Sequence, residues 1–230
     1  MERKVALVTG AGVRLGQAVA AALAREGYDL LLHVHRSDPE PLAGRVETVR
    51  ADLSRREGVQ QLVQEALSRF GRLDLLVNNA ALFGPSPLER ALDDWDRFRG
   101  LNLEAPLGLA VGLAPRLRAS FGAIVNLADI YGERPLKGHL PYCLSKAGVV
   151  MLTRCLALEL APEVRCNAVA PGAALPPAEA DPEHERRLVE RIPLERLGGA
   201  ESIAEAVVFL ARADFVTGQV LQVDGGRTLV

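Results

Sequence analysis

The chain has 230 residues, 49% of them hydrophobic and 24% charged, with a formal net charge of −2. This is the composition of an ordinary globular protein with enough chain for one substantial core. It shows no basic patch suited to nucleic acid or an anionic membrane, no apolar run long enough to span a bilayer, and no signal-peptide core in MERKVALVTG.

Short apolar runs alternate with helical patterns along the chain. Val5–Val8 reads as a strand ending in Thr9-Gly10, and residues 14–26 follow with helical spacing as far as Gly27. A second strand covers Tyr28–Val34, and a third precedes Asp52-Leu53. A helix near 57–70 leads to the strand Leu73–Val77, which runs into Asn78-Asn79-Ala80. A helix near 103–119 precedes the strand Ala123–Leu127, and a long helix from about Tyr142 to Leu160 precedes Val164–Val169 and Pro171-Gly172. A last helix at about 201–211 precedes the strand Gly218–Val223. Nearly all-apolar strands alternating with helices predict one doubly wound α/β domain over residues 1–230, a parallel sheet with helices on both faces. The stretch 173–200 breaks the rhythm with prolines around a charged helical piece, and reads as a lid over a site at the strand ends.

Thr9-Gly10-Ala11-Gly12-Val13-Arg14-Leu15-Gly16 joins the first strand to the first helix. Glycines there permit a tight turn and bring a pyrophosphate to the helix N-terminus, where backbone N–H groups point outward. The end of the second strand chooses the nucleotide. A carboxylate there would accept from the adenosine ribose of NAD, but this chain has His33-Val34-His35-Arg36-Ser37. Arg36 and Ser37 suit a 2′-phosphate, with Arg14 reaching in from the glycine loop, so the expected cofactor is NADPH. Asp52 and Leu53 border the adenine in this reading; Asp52 serves equally as an N-cap for the helix that follows.

Tyr142 and Lys146 stand four residues apart, on one face of a helix. A phenol titrates near 10, and an adjacent ammonium favours its ionised form. The pair therefore reads as a tuned proton donor and acceptor. Only three of the 27 basic residues are lysines (Lys4, Lys137 and Lys146), so one of a scarce type sits a turn beyond Tyr142. Such an arginine bias, with many prolines, hints at a thermostable source. Cys143, Cys155 and Cys166 are odd in number and lack metal-ligand spacing, so they are expected to be small buried hydrophobes in a reducing, cytoplasmic setting, with no metal site.

These landmarks, with Asn102 and Asp224-Gly225-Gly226, resemble the short-chain dehydrogenase/reductase superfamily over essentially the whole chain. The resemblance implies Tyr142 as general acid, Lys146 orienting the nicotinamide ribose, Asn102 holding a proton-relay water, and Asn79, Ala80, Pro171 and Gly172 beside the cofactor. Three departures narrow it: Arg14 in place of a motif glycine, the His33–Ser37 segment, and Asp129 in place of the usual serine. Together they look like the pteridine reductases and the bacterial dihydromonapterin reductases. That resemblance implies reduction of a dihydropterin, dihydromonapterin or dihydrofolate, with Tyr142 and Asp129 governing protonation of a ring nitrogen and Phe83 stacking on the pterin. Asp129 also reads as a turn aspartate, Phe83 as a core aromatic, and His139 as either a pocket or a solvated loop residue. Ala173-Ala174 and Ala81 lack hydroxyls that related enzymes offer to their ligands. The alternatives are a ketone or 3-ketoacyl reductase of the same superfamily and a non-catalytic NADP-sensing module. Helices 103–119 and 142–160 are apolar over more than one face, through Leu107, Leu109, Val111, Val149, Met151 and Leu156, and with the resemblance they suggest a homotetramer.

Overall fold

The structure is a computed structural model that describes residues 3–175 and 182–230. Seven strands form one parallel sheet in the order β3-β2-β1-β4-β5-β6-β7. They are β1 (Val5–Val8), β2 (Asp29–Val34), β3 (Val46–Arg50), β4 (Leu75–Asn78), β5 (Ala123–Leu127), β6 (Arg165–Pro171) and β7 (Val220–Val223). Winding runs outward from β1 to β3, then resumes on the other side of β1 at β4. That reversal opens a crevice beyond the carboxyl ends of β1 and β4, the place where a doubly wound sheet receives its ligand.

The central strands β1, β4 and β5 are buried along their whole length because both faces are covered, while the edge strands β3 and β7 are partly exposed. Leu7, Leu31, Leu76 and Ile124 point to one side, where α2 (Arg56–Arg69), α4 (Ala105–Ala119) and α5 (Leu140–Glu159) pack on them. Ala6, Val8, Leu30, Leu32, Leu75 and Val77 point to the other, under α1 (Arg14–Arg25) and α7 (Gly199–Arg212). Each buried Leu or Val contributes about 1.5–3 kcal/mol, so the two layers together hold the sheet flat against its helices.

Element positions follow the sequence expectations, with strand starts one or two residues later at β2, β4, β6 and β7 and an end two residues later at β6. One helix was not foreseen. α3 (Ala91–Arg99) is mostly polar and buries only Ala91, Asp94 and Phe98, too thin a stripe to stand out after Gly84-Pro85-Ser86-Pro87. It holds its buried Asp94 by ion pairs to Arg90 and Arg97. A π-helical turn, Gly100–Glu104, joins α3 to α4 and buries only Asn102. The expected lid over 173–200 lies partly outside the described residues, at 176–181. Its charged piece is α6 (Pro182–Val189), in which Arg186 pairs with Glu183 and reaches Glu190.

Candidate active site

Thr9 ends β1 and ties two loops together. Its Oγ1 donates to the Val77 carbonyl at 3.3 Å and accepts the N–H groups of Asn79 and Ala80 at 2.9 and 3.0 Å. The Asn79 amide donates back to the carbonyls of Thr9 and Gly10, at 2.8 and 3.1 Å. Gly10 lies at φ +65°, and a Cβ on Gly16 would collide with the Gly10 carbonyl and stand 2.6 Å from the Asn79 amide nitrogen. A Cβ on Gly12 would collide with the Ser37 carbonyl, so the glycine turn and the end of β2 touch through bare backbone. Arg14 adopts φ +54°, the left-handed region that favours glycine, so the side chain is retained here at a backbone cost of about 1–2 kcal/mol.

His33 is almost fully buried and holds this turn from below. Its Nδ1 accepts the Gly10 N–H at 3.1 Å, which leaves Nε2–H to donate to the Ala51 carbonyl at 3.1 Å. Burial lowers its pKa, so the ring stays neutral. Both ring nitrogens being engaged, its contribution is to the shape of the loop. Arg36 and Ser37 are exposed beside it. Asp38, the next carboxylate, is occupied by an ion pair to Arg50 at 2.5 Å. Asp52 accepts the N–H and hydroxyl of Ser54, at 3.0 and 2.6 Å, which holds its carboxyl below the usual carboxylate range. It is not the cap of α2, whose N-cap position is Arg55.

A crevice of about 770 Å³ gathers Gly10, Arg14, Leu15, Gly16, His33, Arg36, Ser37, Asp52, Leu53, Asn79, Ala80 and Phe83. His35, from the same His33–Ser37 segment, also lines it, as do Ser54, Leu82 and Leu101, which no sequence motif marks. Pro171 and Gly172 do not line it. They close β6, and Gly172 donates to the Val223 carbonyl at 3.0 Å.

The chemistry-bearing residues meet at the end of β5. Asp129 caps the single 3₁₀ turn Ile130–Gly132, its Oδ1 accepting the Tyr131 N–H at 2.9 Å. Its Oδ2 accepts the Tyr142 hydroxyl at 2.7 Å, so the turn aspartate and the site carboxylate are one residue. One turn along α5, the Lys146 ammonium donates to the Leu127 carbonyl at 2.7 Å and stands 5.9 Å from the Tyr142 ring centroid. Burial raises the pKa of Asp129 and lowers that of Lys146 to about 8. Tyr142 moves against the expected direction. Burial, then the charge and hydrogen bond of Asp129, push its pKa up rather than down, because the phenol is dry and its nearest charged partner is an anion.

Asn102 uses both amide donors and one acceptor position of its oxygen within the protein. Its Oδ1 accepts the Leu82 N–H at 2.7 Å, and its Nδ2 donates to the Leu82 carbonyl and the Ser145 hydroxyl, both at 3.0 Å. It thereby pins the loop that presents Phe83 to α5. Phe83 is 58% exposed and so is no core residue. Its ring meets the edge of Tyr142 with centroids 4.9 Å apart and stacks on His139 at 5.1 Å and 18°. Cys143 is half-buried and Cys155 exposed, against the expectation of burial; Cys166 is buried, which pushes its thiol up to about 12. Among the described residues no helix is long and apolar enough to cross a membrane.

A family model described as enoyl-(acyl carrier protein) reductase matches residues 10–228. The chain is 40% identical to a putative ketoacyl reductase of granaticin polyketide synthesis from Streptomyces violaceoruber, over 100% of this chain and 98% of that one. It is 34% identical to a 3-oxoacyl-(acyl-carrier-protein) reductase from Thermotoga maritima, covering 100% and 99%. It is also 34% identical to glucose 1-dehydrogenase 2 from Bacillus subtilis, covering 98% and 95%.

Proposed function

The chain belongs to the short-chain dehydrogenase/reductase superfamily, and from that membership we propose that it is an NADPH-dependent reductase of a flat pterin-type heterocycle, a dihydropterin or dihydrofolate taken to its tetrahydro form. The observation that carries this reading is the 2.7 Å hydrogen bond from the Tyr142 hydroxyl to Asp129. A ketone oxygen gains negative charge as it is reduced and calls for donors around it. A carboxylate at this distance opposes that charge. A pterin instead presents N–H donors and basic ring nitrogens, which a carboxyl group accepts from or protonates.

The crevice residues fit the dinucleotide. The close approach of Gly10, Gly12 and Gly16 to neighbouring backbone makes the tight turn that brings a pyrophosphate to the N-terminus of α1, and Arg36 with Ser37 offers a guanidinium and a hydroxyl for a 2′-phosphate. When bound, the dinucleotide supplies the hydride. Lys146 holds its nicotinamide ribose in this reading, as a buried ammonium one turn beyond Tyr142. Tyr142 delivers the proton and Asp129 replenishes or steers it, its raised pKa keeping a proton available nearer neutral pH than an ordinary aspartate would. Phe83 provides the apolar face on which the ring lies.

The second reading is reduction of a ketone or 3-ketoacyl substrate, and the printed activities of the relatives favour it, since none of those named is a pterin reductase. Steady-state rates on 7,8-dihydropterins against a ketone panel separate the two. The pterin reading expects wild-type turnover of dihydropterin and at least a tenfold loss in Asp129→Ser. Ketone turnover without pterin turnover makes the second reading the function.

A further inference from the structure

Beside the reaction centre, on the far side of the turn that Asp129 caps, lies a cavity of about 510 Å³ whose lining includes Arg134, Arg191 and Arg227. Among the described residues none of the three takes part in an ion pair, although most other arginines of the chain do. Arg134 donates to the backbone carbonyl of Arg227, and Arg227 donates to the Tyr131 hydroxyl at 3.2 Å. These two side chains are half-buried, and a guanidinium has five donors. Two like charges brought together with most of their donors unused are costly unless an anion joins them. The one glutamate in the lining, Glu190, is engaged by Arg186 on α6. Tyr131 joins the two places: Asp129 accepts its N–H at 2.9 Å, its hydroxyl accepts from Arg227, and it lines the cavity.

We propose that this cavity is an anion subsite, in which Arg134, Arg191 and Arg227 hold a carboxylate or phosphate carried on the tail of the substrate. A planar fork suits both groups, since each offers oxygens spaced for two parallel hydrogen bonds. The inference rests on the reading above, with the ring lying beside Tyr142 and Phe83 and the tail passing Tyr131. Arg191 comes from the segment just beyond α6, so the excursion after β6 supplies a substrate contact.

The test compares three dihydropterins with the full chain: one with a neutral side chain, one with a benzoylglutamate tail, and one with a phosphate ester. The wild type is expected to prefer an anionic tail by at least tenfold in kcat/KM, through KM, and to lose the preference as salt screens the charges. In Arg191→Gln and Arg134→Gln the ratio of anionic to neutral kcat/KM should fall at least fivefold; whichever tail loses more identifies the anion. An unchanged ratio in both variants overturns the subsite. If the wild type turns over no pterin, the functional reading fails, and calorimetric titration of the NADPH-bound enzyme with glutarate and with inorganic phosphate decides the subsite. Binding weakened by Arg191→Gln upholds it, and no binding of either anion by the wild type overturns it.

Discussion

Lys146 brings an amine into a site where burial lowers its pKa to about 8, with Asp129 acting in the other direction. Since the unfolded value is near 10.4, the buried ammonium costs stability below about pH 8, and that cost disappears as pH rises from there toward 10. Binding follows the opposite course, because the charge is the useful form. NADPH affinity is expected to fall as pH rises through about 8, and titration by fluorescence should show this limb flattened in Lys146→Met. A limb that persists in the variant would assign it to another group. Arg36 makes the parallel case for the nucleotide. With Asp38 already held by Arg50, the segment has no idle carboxylate for a ribose, so Arg36→Asp should lower the preference for NADPH over NADH by tenfold or more in kcat/KM. An unchanged ratio would refute the phosphate clamp. The spacing of Tyr142 and Lys146 put them on one helix face but was a weak signal by itself; the other landmarks of the chain, and the resemblance they carry, singled out the pair and Asp129. The direction of the Tyr142 shift was not legible, because desolvation is a property of the packed site and spacing says nothing of it.

Elements were readable where their pattern was strong. β1, β4 and β5 are buried at every position and apolar but for Asn78 and Asn126, because helices cover both faces, and α1 and α7 carry their apolar stripe on one side. α3 escaped notice because its buried face is three residues wide and one of those is Asp94. The π-helical turn at Gly100–Glu104 has no composition signature, yet it aims Asn102 at Leu82 and Ser145. Thr9 was legible only as part of a motif; its three hydrogen bonds, which lock the β1 and β4 loops together, appear only when the strands are side by side. The latch leaves no room at its centre. Gly16→Ala places a methyl against the Gly10 carbonyl and the Asn79 amide, so the turn must open. Thermal unfolding should show a loss of about 1–3 kcal/mol, the range for overpacking, and NADPH binding should weaken at least tenfold. Retained affinity would mean that the turn does not hold the dinucleotide.

At the scale of the molecule, the helices expected to be apolar over more than one face divide their residues between two jobs. Leu109 on α4 and Val149 and Leu156 on α5 are in the core, while Leu107 and Val111 on α4 and Leu144, Met151 and Leu158 on α5 remain exposed. Leu107 and Val111 are one turn apart, and Leu144, Met151 and Leu158 are seven residues apart, so each set forms a stripe along its helix. Contiguous apolar stripes of this kind mark an interface, and two copies of one chain bring such stripes together by symmetry. The assembly proposed is a homotetramer with α4 and α5 at one of its contacts. Charges in the stripes would have to be buried unpaired against their own copies, at a cost of several kcal/mol. Val111→Glu with Met151→Glu should therefore lower the mass measured by light scattering to that of a dimer or monomer, while circular dichroism shows the fold retained. A variant that keeps the wild-type mass would place the contact elsewhere and leave these stripes to another partner.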